Sequence, residues 1–150
     1  IGSNSIPKKF FDKMRASDIA VVEMPMEFRI QRIAHEYVIE MTKEFLAAHP
    51  VDGWKMFVDY LTQSLVRVRK RLGSENYNLI ASLMGNALRQ QYEQGDTSGH
   101  DAWIVAMLRD YYDPMYAYQL EEQSDKIVFQ GSYDEVLEWA VEESSSRKKK

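Results

Sequence analysis

Arg67, Arg69, Lys70 and Arg71 set four cations into five consecutive positions. Guanidinium groups hold phosphate oxygens bidentately and an ammonium holds them as a point charge. Cations near the end of a helix also offset its dipole, which accounts for one or two of the four. The remainder points to a phosphate-binding edge. Tyr111, Tyr112, Tyr116 and Tyr118 crowd around the step Asp113-Pro114. Each tyrosine buries a flat ring but asks for a partner for its hydroxyl. Such a run is either the end of an aromatic-rich core helix or a surface that is half core and half contact. Its rings, with Trp103, could stack on unpaired bases beside the cations, although Trp103 also falls at core spacing. Arg29 and Arg32 are three apart and share one side of a helix. They either hold phosphate oxygens just beyond a strand end or pair with Glu27 and Glu36.

Other chemistries lack their residues. The sequence has no cysteine, hence no disulfide, thiolate nucleophile or thiolate metal site. It has no Gly-rich phosphate loop, no His/Glu metal spacing and no serine in a nucleophile-elbow context. His35, His49 and His100 lie far apart, as surface or half-buried residues do. No catalytic residue, metal site or cofactor is therefore assigned to this chain.

The elements that must position these groups follow from periodicity. Residues 6–15 read as a short helix with Pro7 in its first turn. Residues 18–24 form a β-branched run ending at Pro25, expected to be a strand buried on both faces, as in a parallel sheet. Four helical patterns follow. The first carries Ile30, Ile33, Tyr37, Met41 and Phe45 and ends near His49-Pro50. The second spans 52–72 with Trp54, Phe57, Leu61, Leu65, Val68 and Leu72, and Gly73 stops it. The third starts after Ser74 with Tyr77, Ile80, Met84, Leu88 and Tyr92. After a polar loop at 94–99, the fourth begins near His100 and uses Trp103, Met107, Leu108 and Tyr111. Asp113-Pro114 kinks or restarts it. Residues 126–131 read as a second strand, and Ser132 with Glu135 as a capping box opening the last helix.

The expected fold is mainly α: a bundle of about four long helices flanked by short strand and helix pieces belonging to a P-loop type α/β sheet. The expected divisions are a sheet remnant at 1–24, a helical domain at 25–122, a returning strand and helix at 123–143, and a disordered basic tail at 144–150. That tail, with Arg147 and three lysines, either adds non-specific attraction or serves as a solubilising end.

With 150 residues, 45% hydrophobic and 28% charged, the chain can bury the core of one domain. A net charge of -4 argues against a generic nucleic-acid coat but leaves room for a local basic edge. No apolar run approaches the roughly 20 residues that span a bilayer. The N-terminus shows no secretory pattern, so a cytoplasmic location is expected. The first residue is not methionine, which leaves open a C-terminal portion of a longer protein.

Five pieces occur in order: Val22-Glu23-Met24-Pro25-Met26-Glu27-Phe28-Arg29-Ile30, Glu36-Tyr37-Val38, Arg69-Lys70-Arg71-Leu72-Gly73, Leu108-Arg109-Asp110-Tyr111-Tyr112-Asp113-Pro114-Met115-Tyr116 and Ile127-Val128-Phe129-Gln130-Gly131. Together they resemble the C-terminal part of tRNA 2-selenouridine synthase, from residue 1 to about 140. The resemblance implies a rhodanese-like domain with a catalytic cysteine and a P-loop domain, both N-terminal to this region and partners of it. It implies an enzyme that replaces the sulfur of wobble 2-thiouridine in tRNA with selenium from selenophosphate, through an S-geranylated intermediate made from geranyl diphosphate. This chain lacks the cysteine and the Walker motif, so alone it is expected to be inactive. Under the resemblance, Arg29 and Arg32 become lid-type phosphate contacts. Arg67, Arg69, Lys70, Arg71, Tyr111, Tyr112 and Tyr116 become tRNA contacts. Two other readings stand beside it: a non-enzymatic helical protein-interaction module, and the lid domain of a P-loop nucleotide kinase.

Overall fold

The computed structural model describes residues 6–147. Residues 1–5 and 148–150, on which the readings of the N-terminus and of the end of the basic tail fall, lie outside the described residues. The chain is mainly helical with a small two-stranded parallel sheet. It divides into two units, Met26–Tyr116 and the flanking segments before and after it.

The helical unit opens with α2 (Met26–Ala34), which runs through a π turn at His35–Glu40 into α3 (Met41–Ala48). The π turn has a consequence for packing. A strict 3.6-residue period places Tyr37 on the buried stripe, but the wider turn advances the phase by one residue. Val38 is fully buried instead, and Tyr37 is exposed. Helix α4 (Gly53–Gln94) follows, and its backbone breaks at Gly73. On its two halves Phe57, Leu61, Leu65, Val68 and Leu72, then Ile80, Met84 and Leu88, form the core stripe that the periodicity predicts. Tyr92 leaves that stripe and is exposed, with its ring against Trp54.

Helix α4 packs on both α3 and α5 (His100–Met107). Gly53 makes the first contact possible. A Cβ there would lie 2.5 Å from the Phe45 carbonyl oxygen and 2.9 Å from Leu46 Cα, both backbone atoms. Helix α5 contributes buried Trp103, Ile104 and Met107 and enters a second π turn at Leu108–Tyr112. Helix α6 (Asp113–Glu121) restarts there. Its Pro114 has no N–H and would crowd a normal preceding turn, so a widened turn just upstream is a physical answer to the proline. Asp113 N–H reaches back to the Leu108 carbonyl across that turn.

The flanking unit holds α1 (Lys8–Arg15), β1 (Ile19–Val22), β2 (Ile127–Gly131) and α7 (Tyr133–Arg147). β1 and β2 pair in parallel, Ile19 opposite Ile127 and Val22 opposite Gly131, with an irregularity after Ile19. The Glu23 amide extends the ladder to the Gly131 carbonyl at 2.7 Å. β1 was expected to be buried on both faces. It is half-buried, and Val22 and Val128 are exposed, because two strands alone leave both sheet edges and part of each face uncovered. Phe129 stacks on Trp139 of α7 at 5.3 Å. The capping box forms: the Ser132 amide donates to Glu135 Oε2 at 2.7 Å, and the Glu135 amide donates to Ser132 Oγ at 3.4 Å. The Ser132 hydroxyl also donates to Glu135 Oε2 at 2.8 Å, and this bond, with that from the Ser132 amide, holds the Glu135 carboxyl below its usual range. The segment expected to be disordered from Ser144 is helical through Arg147, because a well-capped α7 carries on into it.

Candidate nucleic-acid interface

The basic cluster occupies the last turns of the first half of α4, just before the break. Leu65, Val68 and Leu72 point into the core, and this turns the intervening cations outward. Arg67, Arg69, Lys70 and Arg71 are all exposed. The Arg69 guanidinium lies over the Tyr77 ring at 4.8 Å, a cation–π contact that spans the break. Arg71 Nη1 donates to the Tyr111 hydroxyl at 3.1 Å. That single bond brings the basic cluster and the tyrosine run together across forty positions of sequence.

The tyrosines then form a short series of rings. Tyr111 meets Tyr112 edge-on at 5.0 Å, and Tyr112 lies nearly parallel to Tyr116 at 6.4 Å. Tyr111 and Tyr112 are half-buried against the core, and Tyr116 is 53% exposed. The run is thus part core and part free face. Burial, reinforced by the neighbouring phenols Tyr111, Tyr116 and Tyr37, pushes the Tyr112 hydroxyl up to about 12. Tyr112 therefore stays a neutral phenol at physiological pH. Beside it, Arg109 Nε donates to Asp110 Oδ1 at 2.6 Å and depresses the Asp110 carboxyl.

Trp103 does not join this surface. It is buried, and its indole N–H donates to His100 Nδ1 at 2.8 Å. His100, expected at or near the surface, is fully buried at the start of α5. Because an indole only donates, His100 Nδ1 must accept, and the proton sits on Nε2. Nε2 in turn donates to Gln91 Oε1 at 2.9 Å, and Gln91 Nε2 donates to Thr42 Oγ1 at 3.2 Å. Burial lowers the imidazole to about 4. This chain of polar groups ties α3, α4 and α5 together, and sequence spacing gave no sign of it.

Arg29 and Arg32 are both engaged in ion pairs. Arg32 Nε pairs with Glu36 at 2.9 Å, as helical spacing allows. Arg29 does not pair with Glu27. It forks onto both carboxylate oxygens of Asp113, Nη1 reaching Oδ2 at 3.2 Å, and so ties α2 to the first residue of α6. The pair is half-buried, with side-chain exposures of 26% and 37%. A bidentate pair in that setting contributes about 1 kcal/mol after screening. Arg29→Ala and Asp113→Ala should therefore each lower stability by about that amount, and the double change should cost no more than the larger single one. A fall in tRNA affinity for Arg29→Ala at unchanged unfolding midpoint would instead assign this guanidinium to the ligand.

The arrangement defines a class: a helical domain, joined to a parallel strand pair, that presents a basic edge beside a half-buried tyrosine series with one exposed ring, Tyr116. The family model described as the tRNA 2-selenouridine synthase AAA domain matches residues 1–147, and the chain belongs to that family. It is thus a tRNA-modification domain related to selenouridine synthase. No solved structure matches it. Among the described residues, no helix is long and apolar enough to cross a membrane.

Proposed function

We propose that this chain is the helical, tRNA-contacting part of a cytoplasmic enzyme that converts wobble 2-thiouridine to 2-selenouridine. The enzyme takes selenium from selenophosphate and passes through an S-geranyl intermediate made from geranyl diphosphate. The rhodanese-like cysteine domain and the phosphate-binding part of the P-loop domain lie outside this sequence, so this chain alone is inactive. The family membership supports the reaction class. The observation that carries the role of this part is the bond from Arg71 to Tyr111. It gathers cations that suit backbone phosphates and rings that suit unpaired bases onto one surface, the combination single-stranded RNA regions call for. The strand pair β1–β2 supports continuation of the sheet, since parallel strands are normally covered on both faces. Arg29 and Arg32 stay as phosphate contacts of lesser weight, because each already has a carboxylate partner.

The test uses the intact enzyme. Arg67, Arg69 and Arg71 changed together to Ala should weaken tRNA binding by more than about tenfold at physiological salt, and should flatten the salt dependence by about two to three in log–log slope. Nucleosides from cells carrying only this variant should show less 2-selenouridine and more of its sulfur precursor. Unchanged affinity and slope would end the role of this edge. A second reading, a protein-interaction module, is favoured by exposed Phe10, Phe11, Val22, Val128, Leu137 and Val141 in the flanking unit. It predicts intact 2-selenouridine in cells lacking the protein.

A further inference from the structure

Gly73 is the one residue inside α4 whose backbone is not helical, with φ 77° and ψ 165°. That region is essentially restricted to glycine. A Cβ at this position would meet nothing within 4 Å, so no close neighbour demands a glycine there. What demands it is the break. The break opens a depression lined by Val66, Arg67, Arg69, Lys70, Gly73 and Ser74. Three of these six are cations, one offers a hydroxyl, and none is a carboxylate. Arg69 is held by Tyr77 from beyond the break, so one cation is positioned before any ligand arrives. Arg71, by contrast, turns toward Tyr111 and does not line the depression.

We propose that this notch at Gly73 seats a backbone phosphate of RNA, as a subsite separate from the Arg71–Tyr116 surface; the inference rests on the tRNA-contacting role given above. A shallow, open depression bordered by three cations and a hydroxyl suits a phosphodiester, whose charge lies on two non-bridging oxygens. It reads no base, and so it fixes the position of the strand while the tyrosines supply the stacking face. The two subsites divide the cluster: Arg67, Arg69 and Lys70 serve the notch, and Arg71 serves the rings.

The experiment compares three variants of the intact enzyme in tRNA binding across a salt series. Arg69→Ala/Lys70→Ala should weaken binding by roughly tenfold and lower the log–log salt slope by between about one and two. Gly73→Ala keeps every charge but cannot hold the break, and should weaken binding although its helix content is retained. Arg71→Ala/Tyr116→Ala tests the ring surface by itself. If that third variant loses affinity while Arg69→Ala/Lys70→Ala and a folded Gly73→Ala bind as the parent does, the notch is overturned and the tRNA-contacting role stands. If none of the three weakens binding, that role fails as well. Thermal stabilisation by inorganic phosphate that Arg69→Ala/Lys70→Ala abolishes, with RNA affinity intact, would make this a free-phosphate site and overturn the RNA assignment. Should Gly73→Ala fail to fold, Arg69→Ala/Lys70→Ala alone decides.

Discussion

Gly53→Ala should destabilise the protein by about 3 kcal/mol, near the upper end of what one added carbon does in a packed interior. The obstruction is main chain: the new Cβ would sit 2.5 Å from the Phe45 carbonyl oxygen and 2.8 Å from its carbon. A side chain could swing away, but the end of α3 cannot move without dragging Phe45 from its contacts with Phe57 and Tyr60. Gly53 is the first residue of α4 and has no left-handed backbone that would ask for glycine, so the sign of the effect comes from packing alone. Gly85 supplies the control. It is exposed in the second half of the same helix, and a Cβ there meets nothing within 4 Å. Gly85→Ala should stabilise by about 0.5–1 kcal/mol. Urea midpoints of the two variants should therefore move in opposite directions, and a shared direction would sink the close-approach argument.

Acidification should cost the protein more than its surface carboxylates explain. His100 is neutral in the fold, with its imidazole lowered from 6.5 to about 4 by burial. The unfolded chain takes up that proton below pH 6.5 and the folded chain does not, so the contribution is complete above 6.5. It declines as pH falls and levels off below about 4. At 1.36 kcal/mol per pH unit, the loss is about 2 kcal/mol by pH 5 and about 3 kcal/mol by pH 4. Protonating Nδ1 would also set a donor against the Trp103 indole N–H. His100→Asn keeps an acceptor for Trp103 but has no proton to gain. It should be less stable near pH 7.5, because Gln91 loses its donor, yet nearly flat in stability between pH 7.5 and 5. An equal decline in both proteins would place the pH sensitivity elsewhere.

The core helices were legible because their signal is local and repeated. Leu61, Leu65, Val68 and Leu72 announce a buried stripe within four turns, and Gly73 marks its end. Ser132 and Glu135 announce a helix start in four residues. What stayed hidden depends on partners far away in sequence or on small changes of phase. No periodicity separates Val38 from Tyr37, since only the widened turn decides which one faces inward. Asp113 reads as a turn residue before proline, and nothing local says that Arg29 will grip it from 84 positions away. His100 follows a polar loop and looks exposed, yet Trp103 three residues on and Gln91 nine residues back enclose it. Of the candidate interface, the charges and rings could be read directly. That Arg71 would turn to Tyr111 and Arg69 to Tyr77 could not, because the split depends on which way each side chain leaves the helix.

The pairing of β1 with β2 also sets an order of events during synthesis. Ile19 and its neighbours leave the ribosome well before their partner strand, which ends at Gly131, beyond all of residues 26–116. The helices can nucleate and pack from contacts close in sequence, whereas the strand pair must wait for a distant segment. Until β2 emerges, the β1 edge that it will cover is an unpaired β-branched edge, the kind of segment that seeks any available partner. It is followed at once by Glu23 and Pro25, a charge and a residue without an amide proton, which shorten the run that another chain could extend.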